Sequence, residues 1–284
     1  MAPDRTALIV EGGGMRGVFP AGVLDAWLEA GHDPFDLYLG VSAGAADLSS
    51  HLAGQRGRNV RVYTGLMCLP WFFNLPGYLR GGHYMDLDWF WEAFERLDPL
   101  HYAAAASYCR ERGKTMLMVA TSVETGQPVY FEPDARSWSA MLKASCALPL
   151  LYRGGVEIQG RVYVDGGVTD ALPVAEALRR GATRVVVIRT RPSDYVKEDG
   201  LEQRVLALVF RGNPALRVAI LRKVEAYTAS VELIHHPPAG VEIVEIAPPA
   251  PLRASRTCHD AEALLADYRL GHDLGRAHLA CPGS

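Results

Sequence analysis

The sequence predicts an α/β fold around a mainly parallel sheet. Short apolar runs of strand length alternate with segments of helical periodicity over the first two thirds of the chain, the pattern of βαβ units. Glycine-framed strings stand directly after several of these runs, at the strand ends where open α/β sheets receive ligands. The 284 residues, 49% hydrophobic and 21% charged, suit a globular chain long enough to bury a sizeable core, so disordered and fibrous classes drop out.

Taken in order, Thr6 to Val10 reads as a short buried strand. A helix follows from about Pro20 to Ala30, with proline in its first turn, Gly31 past its end, and Val23, Leu24, Trp27 and Leu28 at helical spacing. Leu37 to Val41 gives a second strand and Ser42 to Leu52 a second helix. Further strands are expected at Met116 to Ser122, Val129 to Glu132, Arg161 to Val164 and Arg184 to Arg189. Helices are expected at Asp86 to Glu95, Ser137 to Cys146 and Val174 to Arg180. The polar, proline-bearing stretch Pro192 to Asp199 marks a boundary, which divides the chain into a main domain, 5–190, and an extension, 191–284. In the extension, Ile220, Val224, Tyr227 and Val231 form a one-sided helical stripe, Val241 to Ile246 alternates as a strand, and a last helix runs from about His259 to Arg276. The extension reads as either a small appended subdomain or a final layer of the same domain, with the latter favoured.

Charge and cysteine usage narrow the function classes. A net charge of -3, from 29 basic and 32 acidic residues, supplies no basic stripe for phosphate backbones, so no nucleic-acid partner is expected. Cysteines 68, 109, 146, 258 and 281 are scattered and form no CxxC pair, which indicates neither a disulfide framework nor a zinc site and suits a reducing compartment. The N-terminal apolar burst is too short for a signal-peptide core, and no run approaches the ~18 residues of a membrane span. A cytoplasmic protein, at most peripheral to a membrane, is the expectation.

Three strings carry chemistry. Gly40-Val41-Ser42-Ala43-Gly44 lies at a strand-to-helix junction, where a serine is held exposed on a tight turn, the flanking glycines avoid neighbouring backbone, and the Ala43 N–H can donate to an oxyanion. Gly12-Gly13-Gly14-Met15-Arg16-Gly17 follows the first strand and exposes backbone N–H groups near a helix start. Two uses compete: an oxyanion hole from the N–H groups of Gly13 to Arg16, or a dinucleotide cradle reading G-x-G-x-x-G. The cradle fits poorly, because Asp33 and Asp36 precede the second strand and no acid closes it; a Walker loop is excluded by the lack of GK[ST]. Tyr163-Val164-Asp165-Gly166-Gly167 ends a strand on a carboxylate followed by two glycines, which serves either a plain Asp-Gly turn or a site carboxylate.

Together, GGGMRG, GVSAG about 25 residues later and DGG after a later strand resemble the patatin-like phospholipase family over residues 5 to about 190. The resemblance implies a three-layer patatin-like fold, with a mixed α/β extension behind it, and a serine acyl hydrolase working through a Ser–Asp dyad. It makes Ser42 the nucleophile and Asp165 its base, and it places Gly13, Gly14, Met15 and Arg16, with Ala43, around the oxyanion. No metal or organic cofactor is implied. The partner is a lipid or other ester substrate, with transient membrane-surface contact as an option. Alternatives are an esterase, thioesterase or acyltransferase on small acyl groups, a nucleotide-binding protein using the first glycine loop, and a silent scaffold.

Other residues are read more plainly. His83, His101, His235, His236 and His259 qualify as bases by type alone, and the 235–236 pair reads as a helix-end pair without metal-ligand spacing. Arg16 either steadies the glycine loop or meets a phosphate headgroup. The aromatic stretch 66–79 is either a buried loop on the sheet or a wall or lid of an acyl pocket. Cys146 reads as a small buried hydrophobe.

Overall fold

The structure is a computed structural model that describes residues 5–198 and 200–280, apart from the side chain at 202. Cys281 and the chain ends lie outside the described residues. Eight strands form one sheet: β1 (Arg5–Val10), β2 (Leu37–Val41), β3 (Thr115–Ser122), β4 (Pro128–Phe131), β5 (Val156–Ile158), β6 (Arg161–Asp165), β7 (Ala182–Ile188) and β8 (Glu242–Ile246). The helices are α1 (Val18–Ala30), α2 (Ala43–Leu52), α3 (Arg58–Thr64), α4 (Leu75–Leu79), α5 (Leu87–Leu97), α6 (Tyr102–Arg112), α7 (Trp138–Cys146), α8 (Val174–Arg179), α9 (Leu201–Val209), α10 (Pro214–His235) and α11 (Ala261–Leu279).

The strand order is β5-β6-β3-β2-β1-β7-β8, with β4 also paired to β3. The five strands from β3 to β8 run parallel, while β4, β5 and β6 add antiparallel pairs at the far side. Because side chains alternate along a strand, each apolar run feeds two cores. Leu8, Val10, Tyr38, Val186 and Ile188 face a core shared with Phe19, Trp27, Leu48 and Leu264 from α1, α2 and α11. Ala7, Ile9, Leu37, Leu39, Val185 and Val187 face the other core, with Val174, Ala177, Tyr227 and Ile234 from α8 and α10. Helices thus cover both faces, which gives the three layers.

The C-terminal residues are woven into these layers. β8 pairs in parallel with β7, and α11 lies along α1, where Trp27 Nε1 donates to the Gly275 carbonyl at 3.2 Å. The two helices touch backbone to backbone: a Cβ at Gly22 would land on the Tyr268 carbonyl, and one at Gly271 on the Phe19 carbonyl.

Several boundaries differ from expectation for local reasons. α1 starts at Val18, which puts Pro20 third in the helix, where its missing N–H has no intrahelical acceptor. α11 starts at Ala261, where Asp260 caps it by accepting from the N–H groups of Glu262 and Ala263. β6 continues one residue beyond Val164, so the Asp165 backbone belongs to the strand. α3, α4, α6 and α9 carry no clear sequence signal; α6 buries only Ala105 and Cys109, too little for an apolar stripe to show. The 66–79 stretch is neither wholly loop nor wholly buried. It contains a 3-10 turn, Leu66–Cys68, and α4; it buries Phe72 and Phe73 but exposes Leu69, Trp71, Leu75 and Leu79.

Candidate active site

β2 hands the chain to α2 through Ser42, whose backbone is held at φ 54°, ψ −123°. For a non-glycine residue that conformation costs on the order of 1–3 kcal/mol and persists only where the surroundings impose it. Two features impose it here. Gly44 leaves room for the elbow to close, since a Cβ there would land on the Val10 carbonyl, and Gly40 likewise faces the Ala45 backbone. Ser145 Oγ, fully buried, accepts the Ser42 N–H at 2.9 Å and donates to the Val119 carbonyl at 2.6 Å, tying the elbow to β3. No sequence signal singled out Ser145, because its role depends on α7 crossing behind the elbow.

Sheet register brings the aspartate to the serine. Val41 pairs with Val119 on one side of β3, and Asp165 pairs with Ala120 on the other, so Ser42 and Asp165 flank β3 at the same level. Asp165 Oδ1 accepts the Gly167 N–H at 2.7 Å, whereas Oδ2 is buried with no hydrogen-bond partner. Burial raises the carboxyl above its usual value; the Ser42 hydroxyl and the Gly167 N–H pull the other way. Gly166 is the second glycine this strand end requires, as a Cβ there would meet the Val119 carbonyl.

The first glycine string forms the facing wall. Gly12 has no room for a side chain beside Val41 and Ser42, Gly17 packs under Tyr63, and Gly14 takes a left-handed φ of 58°. One expectation is corrected. The Met15 N–H donates to the Arg256 carbonyl at 3.1 Å, and the Arg16 N–H is used within the 3-10 turn, on the Gly13 carbonyl at 3.4 Å. Neither amide is available to an oxyanion, which leaves those of Gly13, Gly14 and Ala43, the last at the first position of α2 without an intrahelical acceptor. Arg16 contributes its side chain instead.

Two clefts meet at Ser42, and Gly14 and Leu148 line both. One is apolar, about 670 Å³ counting its open mouth, with walls that include Val62, Met67, Phe72, Phe90, Trp91 and Cys146. Burial pushes the Cys146 thiol well above its usual value, so it stays neutral beside Ser42. The other cleft is polar and charged, lined by Glu11, Arg16, Asp165, Arg191, Lys197, Lys223, Tyr227 and Arg256 among others. No histidine lines either cleft. His83 stacks on Tyr152, His259 sits edge-on to Phe73, and His235 and His236 close α10 beside Glu245 and Glu232. His101 is the N-cap residue that precedes α6.

Nor does the glycine string suit a dinucleotide. Asp36 accepts the Thr6 N–H, and Asp33 is held by Tyr38, Tyr108 and Lys114, both at the end of β2 remote from Ser42. Among the described residues no group of three or more His, Cys, Asp or Glu side chains could hold a metal ion, and no helix is long and apolar enough to cross a membrane.

The family model described as patatin-like phospholipase matches residues 8–178. The chain belongs to the patatin-like phospholipase family. Membership points to lipid acyl hydrolysis in general. A second family model, a domain of unknown function (DUF6363), matches residues 213–281 of this patatin-like chain. The uncharacterized protein YjjU of Escherichia coli is 39% identical over 282 residues, 99% of this chain and 79% of its own length. The uncharacterized NTE family protein Rv1063c of Mycobacterium tuberculosis is 29% identical over 212 residues, 72% of this chain and 54% of its own length. Among solved structures, VipD from Legionella pneumophila aligns at a TM-score of 0.47 and 14% identity, covering 98% of this chain and 67% of its own.

Proposed function

We propose that this patatin-like chain is a serine acyl hydrolase that cleaves carboxylic esters of lipids, with Ser42 as nucleophile and Asp165 as base. The observation that carries the reading is the placement of Ser42: its hydroxyl lies beside the buried Asp165 carboxyl and at the head of an apolar cleft. A serine hydroxyl is a poor nucleophile until its proton is removed. An aspartate of ordinary pKa, ~3.9, is a weak base, and burial strengthens this one.

In the first half-reaction Asp165 takes the Ser42 proton as Oγ bonds to the acyl carbonyl carbon. The amides of Gly13, Gly14 and Ala43 hold the negative oxygen, each donor worth ~3 kcal/mol of barrier. Collapse breaks the bond to the alcohol, which leaves with the proton from Asp165. Water then gives a proton to Asp165, attacks the acyl-enzyme, and releases the carboxylic acid; the proton returns to Ser42. The apolar cleft accepts the acyl chain, a volume suited to a lipid tail. The exposed Trp71, Leu75 and Leu79 on the 66–79 stretch offer the place for transient contact with a lipid surface.

The test is intact mass after a fluorophosphonate probe, followed by an ester panel of graded chain length. One adduct on the wild type, lost in Ser42→Ala and slowed in Asp165→Asn, is expected, with rates rising toward long acyl chains. No adduct on folded wild type with detergent present would sink the hydrolase; a preference for short acyl groups would replace the lipid substrate with a small ester.

A further inference from the structure

α9 is apolar on two sides, and the protein covers one of them. Leu206, Ala207 and the following Phe210 pack with Val164, Val168, Leu216 and Ile220 in a small core. On the opposite side Leu201, Val205, Leu208 and Val209 recur at helical spacing and stand in solvent, Leu201 by 78% and Leu208 by 64%. A helix that is apolar all round belongs in a core or against a membrane. The first turns of α10 add the exposed Val218 and Leu221, and Gln203 Nε2 donates to the Leu221 carbonyl at 3.0 Å, which sets the two helices side by side. The charge of this hairpin opposes that of the whole chain. Residues 203–224 contain Arg204, Arg211, Arg217, Arg222 and Lys223 and no aspartate or glutamate, in a chain of net charge -3. Lys223 lines the Ser42 cleft, so the outward charge is that of the four arginines. All four are exposed, and among the described residues none of them forms an ion pair. Glu225, just beyond Arg222, is the first acid met along α10.

We propose that the α9–α10 hairpin docks the protein on an anionic lipid bilayer, with Leu201, Val205, Leu208 and Val209 entering the interface and Arg204, Arg211, Arg217 and Arg222 meeting the headgroup phosphates. Burial of apolar side chains and attraction to anionic headgroups then act on one surface, the combination that holds amphipathic helices at an interface. A second copy of the chain suits the surface less well, because a two-fold pairing brings the same arginines together. The position also serves the site. Leu206 and Ile220 line a groove with Leu148, Leu150 and Leu151, and Leu148 lines both clefts at Ser42. Leu151 ties this groove to the 66–79 stretch: its carbonyl accepts from the N–H groups of Tyr84 and Met85, and Met85 bridges to Phe73. The exposed side chains of the hairpin and those of the 66–79 stretch thus border one groove that leads to Ser42. The docking is a matter of binding and does not depend on the chemistry at Ser42.

The experiment is flotation of the full chain with vesicles of ether-linked phosphatidylcholine, alone or mixed with ether-linked phosphatidylglycerol, lipids that a carboxylic ester hydrolase leaves intact. The wild type should bind the mixed vesicles at least about tenfold more tightly than the neutral ones and lose that preference in high salt. Arg204→Gln and Arg211→Gln should each weaken binding to the mixed vesicles by about fivefold, the worth of one arginine near an anionic surface. Leu208→Ser should weaken binding while leaving its salt dependence in place. All three positions are exposed, so melting should match the wild type and separate lost docking from lost folding. Arg136→Gln, exposed and outside the hairpin, should bind as the wild type does. Equal binding to the two vesicle types, none at all included, would overturn the docking surface, as would binding that the three hairpin variants leave unmoved. A loss in Arg136→Gln as large as in the hairpin variants would show an effect of net charge alone and overturn it too. A dimer in sedimentation velocity that Leu208→Ser dissolves would assign the surface to a second copy instead. Because no ester is cleaved, each of these results leaves the hydrolase reading untouched.

Discussion

At the scale of single residues, the site is built from groups that destabilise the fold in order to hold a reactive geometry. A carboxyl whose folded pKa exceeds its unfolded value contributes stability below the unfolded pKa and loses it as pH rises through the folded one. Asp165 is raised by burial, so its ionised form at neutral pH works against folding. Asp165→Asn should therefore raise Tm at pH 7, with the gain fading as pH falls past the ordinary carboxylate value of about 3.9, while hydrolysis drops by roughly 100-fold or more. Thermal melts across that pH range, paired with rates, check both halves; a Tm lowered at pH 7 would contradict the sign. The same shift places the acid limb of kcat/KM above the ordinary carboxylate value. Ser145 makes a different contribution. Ser145→Ala leaves the Ser42 N–H and the Val119 carbonyl without their shared partner, so a loss of about 1–3 kcal/mol in stability is expected, with kcat falling more than KM changes. Ser145→Thr, which keeps the hydroxyl, should recover part of the kcat.

At the scale of elements, the contact between α1 and α11 depends on missing side chains. Ala normally improves a helix interior over Gly by about 1 kcal/mol. At Gly271 the added methyl meets the Phe19 carbonyl, so Gly271→Ala should instead destabilise by about 1–3 kcal/mol and lower Tm. A raised Tm would show that the helices are free to separate. The 66–79 stretch divides its residues between two tasks: Phe72 walls the apolar cleft, and Trp71 is exposed. Trp71→Ser is expected to lower the rate on vesicle-borne ester relative to the rate on the same ester in monomeric form, read as a ratio across a vesicle titration.

At the scale of the whole molecule, the extension and the main domain share a sheet and a core. β8 completes the edge beside β7, α11 covers Trp27, and the Arg256 carbonyl holds the first glycine string through the Met15 N–H. Unfolding followed by calorimetry should show one transition, with Gly271→Ala and Gly44→Ala both shifting it as a whole; two separated transitions would show that the extension folds apart.

Local chemistry made part of this legible. Apolar runs of strand length and glycines beside Ser42 and Asp165 announce parallel strands and tight turns wherever they occur, since steric exclusion acts between neighbours in the chain. Hence the α/β class and the glycine-framed turns at Ser42 and Asp165 were open to reading from the sequence. Ser145 behind the elbow and the Met15 amide turned to Arg256 were not. Each is defined by a partner more than 100 residues away, and only strand register and helix packing determine which of those partners meet.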